Sequence, residues 1–420
     1  MPSNLRIDPD RLWSTLMETA AIGGTAKGGI NRQTLTEHDR VVRAWFKRET
    51  EALGCTVTVD EVGNMFALRP GRHKELAPIA LGSHLDTQPT GGKFDGNLGV
   101  LGALEALRTL VAAGYETNAG IVVVNWTNEE GARFAPAMLG SGVFAGVYSR
   151  AEADAVADIE GVRFGEALDR IGWRGAAKAG GMPLSAYLEL HIEQGPILEA
   201  EDKTIGVVTG VQGVRWYEAT ITGRESHAGT TPMHLRRDSL AAAAEWIVAV
   251  EHTAQKDPDL VATVGRIDAK PGATNVIAGE VCATLDVRHK SDDVRQRTTD
   301  ALVENALHIA DRRGLSLVSR VLLDQCAVAM DSYLLTEIDQ AIRMTGSHPH
   351  RVVSGAGHDA MILAEKVPAG MIFLRTPGGI SHDPAESVDV ADVAKAIECG
   401  LCLLDQLAHS SRLQERMSRA

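Results

Sequence analysis

Residues 78–126 run apolar strand, helix, apolar strand, and this constrains the fold more than any other stretch. Pro78-Ile79-Ala80-Leu81 is a short continuous apolar run that stops at Gly82. Leu98, Leu101, Leu104, Leu107 and Leu110 then recur at helical spacing up to Gly114. A stronger run follows, Ile121-Val122-Val123-Val124-Asn125-Trp126. Strands that are apolar on both faces, not alternating, belong to sheets covered by helices on both sides. Joined through a helix, they are parallel. The expected class is α/β, built on a largely parallel sheet.

At 420 residues the chain is long for one core, and two domains are expected. Helices are predicted at 8–20 and 37–53, and strands at 56–60, 64–68, 187–192 and 205–209. The Gly-rich segment 23–31 between the first two helices reads as mobile or substrate-facing. The pattern changes near Gly213. Strands at 216–222, 261–267, 280–288 and 315–322, with helices at 237–253 and 293–313, follow the order β-α-β-β-α-β. That is the ferredoxin-like order, with an antiparallel sheet and helices on one face. Residues 213–328 are therefore read as an α+β domain inserted into a first domain made of 1–212 and 329–420.

Composition narrows the function. Hydrophobic residues make up 44% and charged residues 23%, as in soluble globular proteins. A net charge of -13 argues against nonspecific binding to nucleic acid or to an anionic membrane. Met1 to Trp13 is polar and lacks the apolar core of a signal peptide, and no apolar run is long enough to span a bilayer. The five cysteines show no disulfide framework, so a cytoplasmic compartment is expected. Cys399 and Cys402 lie in a helical pattern and read as core residues, not as a metal or redox pair. No Gly-x-Gly-x-x-Gly follows a strand in the context that dinucleotide binding requires.

Polar residues suited to metals collect just past the predicted strand ends: His84, Asp86, Asp95, Glu129, Glu130, His191 and His382. Ligands of open α/β sheets bind beyond the carboxyl ends of strands, and neighbouring strands bring such groups together. Alone, a histidine there is an ordinary surface or capping residue, and Glu129-Glu130 an acidic pair favoured at a helix N-terminus. Jointly they predict a metal site. Five ligands exceed what one catalytic zinc with an open position takes, but they suit two ions that share a carboxylate. Asp95 is the expected bridge, with His84 and His191 on one ion and Glu130 and His382 on the other. Glu129 is left as the base that takes a proton from water. Asp86 is expected to accept the second imidazole N–H of His84.

The chain resembles the N-carbamoyl-L-amino-acid hydrolase group, close to bacterial β-ureidopropionases and allantoate amidohydrolases, within the aminoacylase-like dinuclear metallohydrolases. The resemblance spans nearly the whole chain. It rests on GSHLDTQPTGGKFDG (82–96), NEEGARF (128–134), HIEQGP (191–196), GRESHAGTTPM (223–233), ATNV (273–276), LDVRH (285–289), SGAGHDA (354–360) and GGISH (378–382). It implies metal ligands at His84, Asp95, Glu130, His191 and His382, and Glu129 as base. It further implies substrate contacts from His227, Asn275 and Arg288 of the inserted domain, and from Gln194. Arg288 would clamp a carboxylate, helped by Asn275, and His227 would stabilise an oxyanion. The cofactor expected is two divalent ions per subunit, zinc first, with Mn, Co or Ni as alternatives. The inserted domain is expected to serve as lid and to make a homodimer. The activity implied is hydrolysis of an N-carbamoyl amino acid, L-α or β-alanine type, to the amino acid, CO2 and ammonia. Allantoate is the alternative substrate. A plain aminoacylase or dipeptidase is disfavoured by His191, and a noncatalytic homologue would be expected to lack Glu129 or a ligand.

Overall fold

The computed structural model describes residues 5–417; residues 1–4 of the polar N-terminus and residues 418–420 lie outside it. The chain forms two compact units, Met1–Thr209 with Ala329–Ala420, and Gly210–Val328.

The first unit is organised by a mixed sheet. Its strands run in the order Thr56–Val59, Met65–Arg69, Ile121–Trp126, Ile79–His84, Ala186–Ile192, Ala369–Leu374 and Ile205–Val211. Ile121–Trp126, Ile79–His84, Ala186–Ile192 and Ala369–Leu374 are mutually parallel. All four are buried along their whole length, and apart from Ser83, His84, Asn125, Glu189 and His191 their residues are apolar or small. Thr56–Val59, Met65–Arg69 and Ile205–Val211 pair antiparallel, and Arg351–Ser354 also joins Ile205–Val211. In-register pairing sets His84 opposite Trp126 and His191 opposite Phe373. The residues that follow all four strands therefore leave the sheet along one edge.

Helix Asn97–Ala112 follows the first of these loops and is buried almost all round. Helices Pro9–Ala20 and Val390–Ala408 pack on it, which is why it lacks a polar face. Glu105, fully buried there, is neutralised by Arg11 at 2.6 Å. Cys399 and Cys402 are buried in Val390–Ala408, as core residues. The crossing with that helix is tight: a Cβ on Gly102 would come within 2.2 Å of Ile397 Cδ1.

The second unit has an antiparallel sheet in the order Ile267–Lys270, Glu280–His289, Gly213–Thr222, Ser316–Gln325. Helices Ser239–Ala254 and Asp292–Arg312 pack against it around Trp246, Ile221, Leu285 and Leu302. In Glu280–His289 the odd-numbered residues are buried and the even-numbered ones half-buried, the alternation of a sheet covered on one face. The strand expected at 261–267 is corrected. It is two pieces, Val261–Thr263 and Ile267–Lys270, both paired to Glu280–His289. Gly265 lies in the gap, where the ladder continues only through Thr284 N–H donating to Arg266 O. Among the described residues no helix is long and apolar enough to cross a membrane.

The tight crossing is testable. Gly102→Val is expected to cost ~1–3 kcal/mol by overpacking, read as a lower urea midpoint. Combined with Ile397→Ala, it should cost less than the two single changes summed, because the smaller partner makes room. Strict additivity would show that the two positions do not touch.

Candidate metal centre

The strand Ile79–His84 ends on His84, buried at 1% exposure. Its Nδ1 lies 2.9 Å from the Asp86 backbone oxygen. His191, at the end of Ala186–Ile192, sets Nδ1 2.8 Å from Ile192 O. A carbonyl only accepts, so both rings carry a proton on Nδ1 and turn Nε2 inward. His84 Nε2 lies 3.8 Å from Asp95 Oδ1 and 3.4 Å from Glu129 Oε2. His191 Nε2 lies 3.1 Å from Asp95 Oδ1. His382 reaches Asp95 from the other side, with Nε2 3.2 Å from Oδ2 and 3.6 Å from Glu130 Oε2. Its φ of 55° turns the backbone sharply at that point.

The five expected ligands thus fall into two groups, His84–Asp95–His191 and Asp95–Glu130–His382. Within each, the donor atoms lie within 4.8 Å of one another. Asp95 belongs to both. Glu129 stands beside the first group. Gly96 makes this approach possible: at φ 65°, a Cβ there would lie 2.3 Å from the His84 ring. A side chain would push the ring out.

The donor set fits divalent cations. Each inward Nε2 faces carboxylate oxygens, so a proton or a cation must lie between them, and histidine-carboxylate sets are those of zinc, manganese, cobalt and nickel. Burial and the neighbouring charges together shift the protonation equilibria of these groups. Burial, then Asp359 and Glu130, push Glu129 well above the usual carboxylate range. Burial and the charge of Asp95 do the same to Glu130. Burial would raise Asp95 too, but His191 and His382 hold it well below that range. Burial would lower His191, yet the hydrogen bond and charge of Asp95 push it up to about 9. His84, where burial prevails, falls to about 4.

Two expectations change. Asp86 does not take the His84 N–H through its carboxylate, which lies 3.8 Å away; its backbone carbonyl does. The carboxylate accepts the backbone N–H of Glu129 at 3.3 Å and of Glu130 at 3.4 Å. These amides lie in a loop with no strand partner and need an acceptor. Asp86 therefore ties one ligand loop to the next. The segment 23–31 is pinned, not loose. Ile30 and Gly91 exchange backbone hydrogen bonds at 2.9 and 3.1 Å. Arg32, fully buried, donates to Leu85 O, Thr19 O and Ile22 O.

Gln194 (φ 60°) donates its amide to Asp95 Oδ2 at 3.0 Å and leaves a buried Oε1 without a hydrogen-bond partner. Gln88 went unnoticed in the sequence. Its backbone N–H and its Nε2 hold the two oxygens of Glu130 at 3.1 and 2.8 Å. Its residue type, inside a Pro/Gly-rich loop, carries no signal that would find it.

His227, Asn275 and Arg288 belong to the second unit. His227, exposed, sits on Ser226–His227, which pairs with Val276–Ile277, and Ala228 N–H donates to Asn275 O at 2.9 Å. One short ribbon thus carries both. Gly229 and Thr230 N–H donate to His227 Nδ1, so the ring proton is on Nε2 and this atom is a donor. Arg288 lies on the half-buried face of Glu280–His289, with Asp286 2.8 Å from its Nη2. A third group, Asp257–Asp259–His289, differs from the first two. His289 Nδ1 is engaged by the backbone of Ser291, its Nε2 lies 3.5 Å from Asp257, and Lys290 occupies Asp259 at 2.6 Å.

The profile of peptidase family M20/M25/M40 matches residues 80–406. An N-carbamoyl-L-amino-acid amidohydrolase of Rhizobium meliloti is 46% identical over 390 residues, 92% of this chain and 93% of that protein. An allantoate amidohydrolase of Bacillus subtilis is 34% identical over 393 residues, 93% and 94% of the two chains. A hydantoinase/carbamoylase-family amidase from Burkholderia multivorans superposes with a TM-score of 0.95 at 45% identity, covering 97% of this chain and 99% of that one. With a match over most of its length and relatives this similar end to end, the chain belongs to the peptidase family M20/M25/M40.

Proposed function

We propose that the protein is a metal-dependent amidohydrolase that cleaves the carbamoyl C–N bond of N-carbamoyl amino acids, yielding the amino acid, CO2 and ammonia. The observation that carries this reading is the pair of histidine-carboxylate groups sharing Asp95, with a further carboxylate, Glu129, beside them. His84, Asp95 and His191 would hold one divalent ion, zinc first, and Asp95, Glu130 and His382 the other. Bound there, such ions polarise a carbonyl and lower the pKa of water. Glu129 takes the proton of the attacking water and passes it to the leaving nitrogen. Asp86 and Gln88 keep the Glu129–Glu130 loop in place by the hydrogen bonds described. Gln194 offers its unpartnered Oε1 to an N–H of the ureido group.

The second unit, whose strand order is ferredoxin-like, serves as lid and dimerisation domain. His227 donates Nε2–H to the oxyanion, while Asn275 and Arg288 receive the substrate carboxylate. Arg288 already faces Asp286, whose carboxylate accepts from its Nε and Nη2 and so orients its guanidinium. The carbamoyl amino acid reading is supported by the 46% identical relative of that name. Allantoate is the second reading, supported by the relative from Bacillus subtilis. Turnover of N-carbamoyl-methionine, N-carbamoyl-β-alanine and allantoate by enzyme of defined metal content separates these substrates, and hydrolysis of none overturns the assignment.

Glu129→Gln is expected to keep both ions, measured by elemental analysis, and to lose about 100–10,000-fold in kcat. If it strips metal instead, Glu129 is a ligand. Asp95→Ala should weaken both ions together, and His382→Ala one of them, when metal is titrated into chelator-treated protein. Equal stoichiometry in these two variants contradicts a shared Asp95. Arg288→Lys should raise KM for N-carbamoyl amino acids far more than for an analogue without the carboxylate, because lysine cannot offer two parallel donors. An equal effect on both substrates removes Arg288 from carboxylate recognition.

A further inference from the structure

One buried carboxylate at the edge of this centre has no part in the roles above. Glu386 follows His382 by four residues and is 4% exposed. Its Oε1 accepts two backbone hydrogen bonds, from Phe94 N–H at 2.9 Å and from Asp95 N–H at 3.1 Å. Its Oε2 accepts the Ser381 hydroxyl at 3.3 Å, and that hydroxyl lies 3.4 Å from Asp95 Oδ2.

The segment that delivers Asp95 is loop from Leu85 to the start of helix Asn97–Ala112, apart from a single bridge at Gly91. Its interior amides have no strand ladder to enter, and a buried N–H left unpaired costs about as much as a lost hydrogen bond. Glu386 supplies the missing acceptor at the residue whose carboxylate both ligand groups share. The fit leaves no slack. A Cβ on Gly92 would lie 2.1 Å from the Glu386 carboxyl carbon, and one on Gly29 would lie 2.3 Å from Gly91 O and 2.9 Å from Pro384 Cα. The two glycines are therefore sites of close approach, one between the Asp95 loop and Glu386, the other between the N-terminal segment and both loops.

We propose that Glu386 is a positioning residue of the metal centre: it fastens the backbone of Asp95 to the loop that carries His382, so that both cation positions are set together. Its oxygens accept from amides and a hydroxyl, and it belongs to neither group of candidate ligands. This rests on the metal-centre reading of the preceding section.

The roles of reach and of charge separate by substitution. Glu386→Gln keeps an oxygen acceptor at the same reach, Glu386→Asp keeps the charge but is one methylene too short to reach the two amides, and Glu386→Ala keeps neither. Each holoenzyme is stripped with chelator, checked for fold by circular dichroism, and titrated with Zn2+ and with Co2+, whose visible absorption reports ligand geometry. Glu386→Ala and Glu386→Asp are expected to lose about 10–100-fold in affinity at both positions, as residues that hold metal ligands in place do, with an altered cobalt spectrum. Glu386→Gln should remain near wild type in both respects. Wild-type affinity at both positions in Glu386→Asp overturns the proposal, and so does a Glu386→Gln variant as weak as Glu386→Asp. If Glu386→Ala fails to fold, the Gln and Asp variants decide. Wild-type protein that takes up fewer than two ions overturns the dinuclear reading itself, a result distinct from any difference among the variants.

Discussion

The centre depends on one buried charge. Asp95 places a single carboxylate among His84, His191 and His382, at 3.8, 3.1 and 3.2 Å. A carboxylate so far from water costs several kcal/mol unless positive charge and hydrogen bonds surround it. The three histidines come from three different segments. Satisfying Asp95 is therefore the same act as bringing the loops together, and the site cannot be half-formed without leaving that charge exposed to its apolar surroundings.

The parallel sheet makes the convergence possible. Strands in register with buried faces deliver their following residues to one edge. Beyond that edge regular structure stops, and backbone amides lose their ladder. Side chains take over. Asp86 serves the amides of Glu129 and Glu130, Gln88 grips Glu130, Glu386 serves Phe94 and Asp95, and Arg32 gathers carbonyls from Thr19, Ile22 and Leu85. The polar residues around the centre thus divide by task. Some face inward toward the shared carboxylate, and others replace the sheet's hydrogen bonds outside it.

The inward-facing group was legible in the sequence, because residue type and place coincide there. Histidines and acids gathered at or beyond the ends of several apolar strands have few ordinary reasons to recur. The supporting group was not. Gln88 and Glu386 are common polar residues in loops, and only their distances to particular amides give them a task. Asp86 shows the limit within a single motif. Its spacing from His84 was right for contact, but contact came through the backbone carbonyl while the carboxylate turned to the next loop. Gly265 shows another limit, since the alternation at 261–267 read as one strand and the chain breaks there.

What the sequence by itself determined was periodicity: which runs are strands buried on both faces, which are helices, and which metal-suited side chains follow strand ends. Those properties are local, and hydrophobic spacing encodes them directly. Only the tertiary structure decided which acceptor each loop amide finds, which way each carboxylate turns, and why Gly29, Gly92 and Gly102 carry no side chain. These depend on segments far apart in the chain, as Glu386 is from Asp95, meeting at hydrogen-bond distance. No local pattern records such a meeting, because its energy exists only once both segments have been brought out of water together.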